Sequence, residues 1–454
     1  MALERGGAGG VAICMELLPL GLAGIALLTG AIAYQRGDTT TLLLLLALPF
    51  VPILIIGGIR AAQGKATYTW IAALGLVVIQ VANFRYRAID DKSIDWQVAL
   101  KLAALAVMAT ASIPVLHHAI HRNLPVSVFL WLVFVAYLSA TSLYAVDPIY
   151  SLISASTVMI ALLFLMAVTH NFGSQALIEF VAYAALLLCA VSLLIYVAWP
   201  SLGRMSDWEH GSFVMTTRLQ GILGSANAAG ATAGIGLVLL PTLKMKTIFK
   251  VSAAAILCVC LVLSDNRMAI ASTALAAAAY GAFKNRGSLS LIVACSVLVA
   301  GLLLLAFALF GEELLSFISR SGSAEEVASA TGRTVIWSAV LDMWAEKPLL
   351  GYGFASSQRL LPTHPALFIA AAHAHNMYLE VLFAGGIAGS VIFSCAVAAT
   401  ARDAVRSAKP VLLALIIFLL VYGLTEPVLS SIAGFPAYGL LAAVIAAGGQ
   451  GRAL

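Results

Sequence analysis

The sequence predicts an all-α fold: a polytopic integral membrane bundle of about fourteen transmembrane helices. It forms one membrane domain over residues 1–454, with one long extracytoplasmic loop at 312–376. Three observations predict it. The chain is 62% hydrophobic and 10% charged, with mean hydropathy +1.02, far outside soluble usage. Apolar runs of roughly 17 to 24 residues, long enough to cross a ~30 Å hydrocarbon core as helix, recur from end to end. Spanning backbone must satisfy its own polar groups, which leaves only helices or closed barrels.

The first run, 11–34, is long and lacks a small-residue cleavage pattern, so it reads as an uncleaved span. Spans follow at 42–62, 67–84, 97–119, 125–146, 151–171 and 179–199, then two short ones at 228–243 and 249–264. Next come 267–283 and 289–311, and after the loop 377–399, 411–429 and 431–448. Inside the loop, the stretch from Thr331 to Trp344 reads as a helix, with Thr331 a candidate cap and Pro348 ending it. Arg333, Trp337, Val340, Leu341 and Trp344 share one broad face. Two Trp on such a face suit the headgroup layer, where indole keeps its N–H wet. The expected element is an interfacial helix lying over the membrane.

Basic residues beside a span resist translocation, so their distribution sets orientation. With both termini cytoplasmic, the inside segments carry thirteen basic residues against eleven outside, seven Arg (Arg5, Arg60, Arg122, Arg286, Arg402, Arg406 and Arg452) and six Lys: Lys65, Lys244, Lys246, Lys250, Lys284 and Lys409. The outside carries nine Arg: Arg36, Arg85, Arg87, Arg204, Arg218, Arg267, Arg320, Arg333 and Arg359. Lys101 falls within a span. Guanidinium offers a planar fork to phosphate or carboxylate and stays ionised at any working pH. An Arg-rich outer face therefore points to a bound anionic group, with chance and lipid-headgroup contacts as the plain alternative.

All six cysteines (Cys14, Cys189, Cys258, Cys260, Cys295 and Cys395) fall inside apolar runs and read as small core residues. Cys258 and Cys260, two apart on a helix, point to different faces. His117, His118 and His121 have no acidic or thiol partner nearby and read as interfacial packing. Walker-type glycine loops are absent. No metal, cofactor or nucleic-acid partner is expected.

Three outer clusters could carry chemistry. Arg218-Leu-Gln-Gly221-Ile-Leu-Gly224-Ser225-Ala-Asn227 precedes the eighth span; its glycines permit tight turns, and Ser225 or Asn227 could cap the helix that follows. Ser264-Asp265-Asn266-Arg267 is a polar hairpin between two spans, where Asp265 either pairs with Arg267 or serves a site. The third cluster is the long loop, which ends in His373-Ala374-His375-Asn376. Imidazole can accept a hydroxyl proton at neutral pH, which makes His375 the candidate base. His373 and His364 read as packed polar residues. Asn376 could orient a neighbour, Glu380 could fix the histidine tautomer or start the helix, and Glu426, before Pro427, shows no obvious partner.

The order of these clusters resembles a known family. Arg218 with Gly221 and Asn227 comes first, then Ser264 to Arg267, then Thr331-Gly-Arg-Thr-x-x-Trp337 with Lys347-Pro-Leu-Leu-Gly-Tyr-Gly353. His375-Asn376-x-Tyr378-Leu379-Glu380 with Gly385-Gly386 completes the order. The pattern, over roughly 210–390, resembles the O-antigen ligase and Wzy polymerase superfamily, and within it the exopolysaccharide polymerases. The chain departs from it at 224–227, Gly-Ser-Ala-Asn, where many relatives carry Pro or Lys before the Asn.

The resemblance implies a GT-C-like glycosyltransferase of the bacterial inner membrane. Its site would face the periplasm and act without metal on a polyprenyl (undecaprenyl) diphosphate-linked glycan donor and a glycan acceptor. It also implies that Arg218 and Arg267, with Arg333, grip the diphosphate and that His375 is the general base, supported by Asn227, Asp265, Asn376, Glu380 and Glu426. A flippase and a chain-length regulator are the implied partners beside membrane lipids. A ligase acting on lipid A core or protein remains the alternative, and a flippase or exporter a rival of another class. Against the rival, no internal repeat is evident and the polar residues gather at the outer surface and not mid-span.

Overall fold

The computed structural model describes residues 66–84, 95–120, 124–209, 212–284, 333–365, 367, 371–429 and 434–449. The expected spans at 11–34, 42–62 and 289–311 lie outside the described residues. So do Thr331 with the loop residues 312–332, Arg36, Arg85, Arg87, Arg320, Cys14, Cys295, His121, and the side chains of His117 and His118.

Apolar runs become helices where expected. The helices α1 (Ala66–Val81), α2 (Trp96–Ile120) and α3 (Val126–Ala140) match the third, fourth and fifth runs. Then α4 (Pro148–Ala198) joins the next two runs through Gly173, whose φ of +86° and ψ of 163° break the helix. Asp147 caps its start by accepting the Tyr150 N–H. Beyond it come α5 (Ala226–Leu239), α6 (Thr247–Leu263), α7 (Arg267–Lys284), α8 (Arg333–Glu346), α9 (Met377–Arg406), α10 (Pro410–Tyr422) and α11 (Phe435–Gly448). Among the described residues, α2, α3, α4 and α9 are long and apolar enough to cross a membrane; α1, α5, α6, α10 and α11 are shorter apolar helices.

Small residues let the helices meet closely. A methyl group added at Gly234 of α5 would lie 2.5 Å from the Phe418 ring of α10. Across α3 and α9, the buried Trp131 donates its indole N–H to Thr400 at 3.0 Å, and Trp131, Phe134 and Phe393 pack edge to face and tilted. Cys260 is buried and Cys258 exposed, on opposite sides of α6 as their spacing predicts.

Three features depart from expectation. The segment read as a loop before the eighth span holds an antiparallel hairpin, β1 (Arg204–Glu209) and β2 (Ser212–Leu219), with an irregular register between Arg204 and Ser206. The fold is therefore helical with one hairpin, and Arg218 sits near the end of β2. The helix expected to run to 429 stops at Tyr422. Pro427 disfavours helical backbone at Glu426, and the Gly423 carbonyl is taken by the Met377 N–H at 2.7 Å.

The third departure is a break in α9 at Gly386, where φ is +60° and ψ −159°. Carbonyls freed inside a membrane helix need partners. Those of Phe383 and Ala384 accept the N–H groups of Tyr352 and Gly353, both at 2.9 Å, and that of Gly385 accepts the Tyr137 hydroxyl at 2.7 Å. In return the Ile387 and Ala388 N–H groups reach the Pro348 and Leu349 carbonyls. The loop after α8 is thereby stitched into the break.

Candidate active site

One end of the bundle collects the ends of several elements: the finish of β2, the start of α5, the turn between α6 and α7, the starts of α8 and α9, and the segment 423–429 after α10. Ser225 is the residue that caps α5, accepting the Ala228 N–H. That leaves the Asn227 side chain, two residues further on, free of capping duty. Gly230 lets the same helix press on the α6–α7 turn: a Cβ there would come within 2.6 Å of the Ser264 hydroxyl.

Arg218 is buried at the centre of this end, 8% exposed. Its Nε donates to the Ser264 carbonyl at 3.2 Å, its Nη1 lies 3.7 Å from the Met205 sulfur, and its Nη2 donates to Asn227 Oδ1 at 3.1 Å. Asn227 passes the connection on, its Nδ2 donating to Glu426 Oε1 at 2.6 Å. The Asn227 carbonyl accepts from Asn266 Nδ2 at 3.1 Å and from the Tyr422 hydroxyl at 2.9 Å. Asn266 also caps α7 by accepting the Ala269 N–H.

Glu426 is the junction. Besides Asn227 it accepts from Arg333 Nη2 at 2.5 Å, and its other oxygen lies 3.7 Å from His375 Nδ1. Burial alone would raise this carboxyl, but the facing His375, Arg333 and His373 outweigh burial and hold it below the usual carboxylate range.

The histidine turn is held from both sides. Ala374, fully buried, donates its N–H to Glu380 at 2.8 Å and accepts the Trp337 indole N–H at 3.0 Å. The second Glu380 oxygen takes the Ser357 hydroxyl at 2.5 Å. Asn376 caps α9, accepting the Tyr378 and Leu379 N–H groups while its amide donates to the Leu424 carbonyl. Under these constraints His375 adopts φ +47°, a left-handed conformation seldom taken by a residue with a side chain. The His373 and His375 rings meet edge to face with centroids 4.2 Å apart. Burial, and then the charge that His375 can carry, push His373 down to about 4, so it is neutral at neutral pH.

The structure thus brings together Arg218, Asn227, Arg333, His375 and Glu426, with Asn376 and Glu380 bracing the histidine turn. Arg267 opens α7 one residue after Asn266 with an exposed side chain, and no hydrogen bond joins it to the cluster among the described residues. Asp265 lies beside it in the turn, at φ +46°. Two readings change. Glu380 does not touch either imidazole; Glu426, which the sequence left without a partner, faces His375. The Trp337 indole is not kept in water but donates to Ala374, because α8 packs its Trp337 and Val340 side against α9 while Leu341 stays exposed. Asn266 and Tyr422 were not singled out; the first belongs to a polar turn that was, and the second carries no local signal.

Residues 252–394 match the family model described as O-Antigen ligase. That stretch holds the α6–α7 turn, α8 and the histidine turn, and excludes Arg218, Asn227 and Glu426. No curated protein matches the chain.

Proposed function

We propose, from the match of residues 252–394 to the family model described as O-Antigen ligase, that this chain belongs to the O-antigen ligase and Wzy polymerase superfamily and is a surface-polysaccharide polymerase. It is an inverting, metal-independent membrane glycosyltransferase of the GT-C class with about fourteen spans. It moves a glycan from polyprenyl diphosphate to a sugar hydroxyl of an acceptor repeat, on the periplasmic side of the inner membrane. The observation that carries this reading is His375, ordered beside Glu426 at 3.7 Å, in the same cluster as Arg218 and Arg333.

Two guanidinium groups set against one carboxylate leave the site positive, which suits a diphosphate; Arg267, one residue from the cluster, adds a third cation within reach of a ligand. These groups stabilise the charge that grows on the leaving diphosphate. The Glu426 carboxylate favours the tautomer with the proton on His375 Nδ1, which frees Nε2 as base. Nε2 takes the proton of the acceptor hydroxyl, and the oxygen attacks the anomeric carbon from the face opposite the diphosphate. The glycosidic C–O bond breaks with its electron pair going to the diphosphate oxygen. No metal or nucleotide is consumed.

Removing a general base costs about 10² to 10⁴ in rate. His375→Ala, which keeps a Cβ at the same left-handed φ and so leaves the backbone cost unchanged, should insert and fold yet lose polymer formation in a complementation assay; unchanged polymer would sink the assignment. The family's description as O-antigen ligase favours a second reading, transfer of finished polymer to lipid A core or protein. Purified protein supplied with lipid-linked repeat in detergent separates the two: a ladder of lengthening glycan marks a polymerase, and single transfer to another acceptor marks a ligase.

A further inference from the structure

Two buried polar atoms at this end of the bundle make no hydrogen bond among the described residues, His373 Nδ1 and Thr425 Oγ1, whereas His375 Nδ1 faces Glu426 Oε2 at 3.7 Å. Buried polar atoms are nearly always paired, and unpaired ones that gather in one place mark a seat for a missing polar guest. They do gather. The rings of His373 and His375 are in contact, Thr425 is bonded to Glu426, and segment 423–426 is tied to the histidine turn by Met377 N–H to Gly423 and by Asn376 to Leu424. The His373 ring meets the cluster through His375, whose own ring stands 3.7 Å from Glu426.

The guest's chemistry follows from the groups that wait for it. Neutral imidazole presents one donor and one acceptor nitrogen, and Thr425 offers a hydroxyl that can do either. The cations of the site, Arg218 and Arg333 with Arg267 beside them, are taken up by the diphosphate on the transferase reading, so a second anion is not the guest that fits. A guest that can donate and accept at adjacent points suits both, and neighbouring sugar hydroxyls do that. We propose that His373 and Thr425 form, beside His375, the seat of the acceptor sugar. The acceptor would be a glycan presenting two neighbouring hydroxyls, one as nucleophile to His375 and the other bound by His373. This rests on the transferase reading, in which His375 is the base. On that reading His373 is a positioning residue for the acceptor, and the pair of histidines selects which hydroxyl reacts.

The test uses the full chain in detergent, lipid-linked repeat as donor, and as acceptor probe the repeat oligosaccharide released from its lipid by mild acid. His373→Phe keeps the ring shape and removes both nitrogens; Thr425→Val keeps the branched shape and removes the hydroxyl. Each should raise the acceptor KM about tenfold, the effect of one lost hydrogen bond, with kcat and donor KM changed less than about threefold. His373→Asn, which returns an amide near Nδ1, should recover part of the loss. A raised donor KM assigns the seat to the donor sugar and overturns the proposal, as does an unchanged acceptor KM.

Binding is measured separately, by saturation-transfer NMR of the released oligosaccharide on the His375→Ala chain. Signal that weakens when His373→Phe is added supports the seat even if turnover fails. Equal signal with and without His373→Phe overturns the seat while leaving the transferase reading intact. A melting temperature for each variant shows whether folding contributes.

Discussion

A carboxylate with its side chain 9% exposed stays ionised only where cations and donors face it, and Glu426 has Arg333, Asn227 and His375 doing so. Its importance could not be read locally, because Asn227 is 199 residues away in sequence and Arg333 is 93 away. Such pairing is decided by helix packing and not by any nearby pattern. Glu426→Gln preserves size and an acceptor for Asn227 but removes the charge that orients His375, so kcat should fall about 10- to 100-fold, as for other groups that orient a catalytic side chain. The stability cost should lie at or below the roughly 3 kcal/mol lower end for broken buried pairs, since Arg333 keeps some solvent.

The pH dependence has a definite sign. The native Glu426 carboxyl titrates below its unfolded value of 4.5, so its contribution is present above that value and is lost as pH falls through the lower native value. The melting temperatures of wild type and Glu426→Gln should therefore converge on acidification below that range. His373 adds a second slope. Its native value near 4 lies below the ordinary 6.5 of a free imidazole, so the unfolded chain binds the extra proton and stability falls as pH drops between them. His373→Phe should flatten that part of a melting curve taken against pH; an unchanged slope would show that another group titrates there.

Among the elements, those built on apolar length were legible and those built on local interruptions were not. The described apolar runs form helices close to their expected positions, except the one expected to reach 429, and four of these helices are long and apolar enough to cross a membrane, because an apolar run needs only its length to be read. The break in α9 escaped notice since the apolar pattern continues through Gly386 without a proline to mark it. The hairpin carrying Arg218 escaped for a related reason: two short strands of mixed polarity lack a clear alternation. What Gly386 contributes is separable by mutation. At φ +60° and ψ −159° a side chain is strained by about 1 to 3 kcal/mol. Its Cβ would also stand 2.4 Å from the Leu349 carbonyl carbon. Gly386→Ala should therefore lower the melting temperature by several degrees and loosen the stitched loop, seen as faster protease cleavage near Lys347. Gly281→Ala, in the interior of α7 with nothing within 4 Å, should leave it equal or slightly higher. Equal effects of the two changes would show that the break does not depend on Gly386.

At the scale of the molecule, helix direction sorts the basic residues. The helices α5, α7 and α9 begin at the site end and run away from it, while α6 and α10 run toward it. Arg218, Arg267, Arg333 and Arg359 consequently sit at the site end, and Lys244, Lys246, Lys250, Lys284 and Lys409 at the other, joined there by Arg402 and Arg406. Lys347, set over the Tyr352 ring, and Lys101, which donates to Asn83 beside Ile222 and Gly224, are lysines on the site side. Since Lys and Arg hold cytoplasmic ends equally well, the separation by type is unexplained by topology and follows if the site end binds an anion through planar forks. Orientation can be tested directly in a chain whose six cysteines are replaced by Ser or Ala. Leu350 at the site end and Arg406 at the far end are both exposed, so each accepts a single new cysteine without disturbing the core. A membrane-impermeant maleimide applied to cells with an opened outer membrane should label Leu350→Cys at once. Arg406→Cys should react only after the inner membrane is permeabilised. The reverse order would turn the site toward the cytoplasm, where a lipid-linked glycan already moved to the outer leaflet could not reach it, and would remove the periplasmic transfer reaction from consideration.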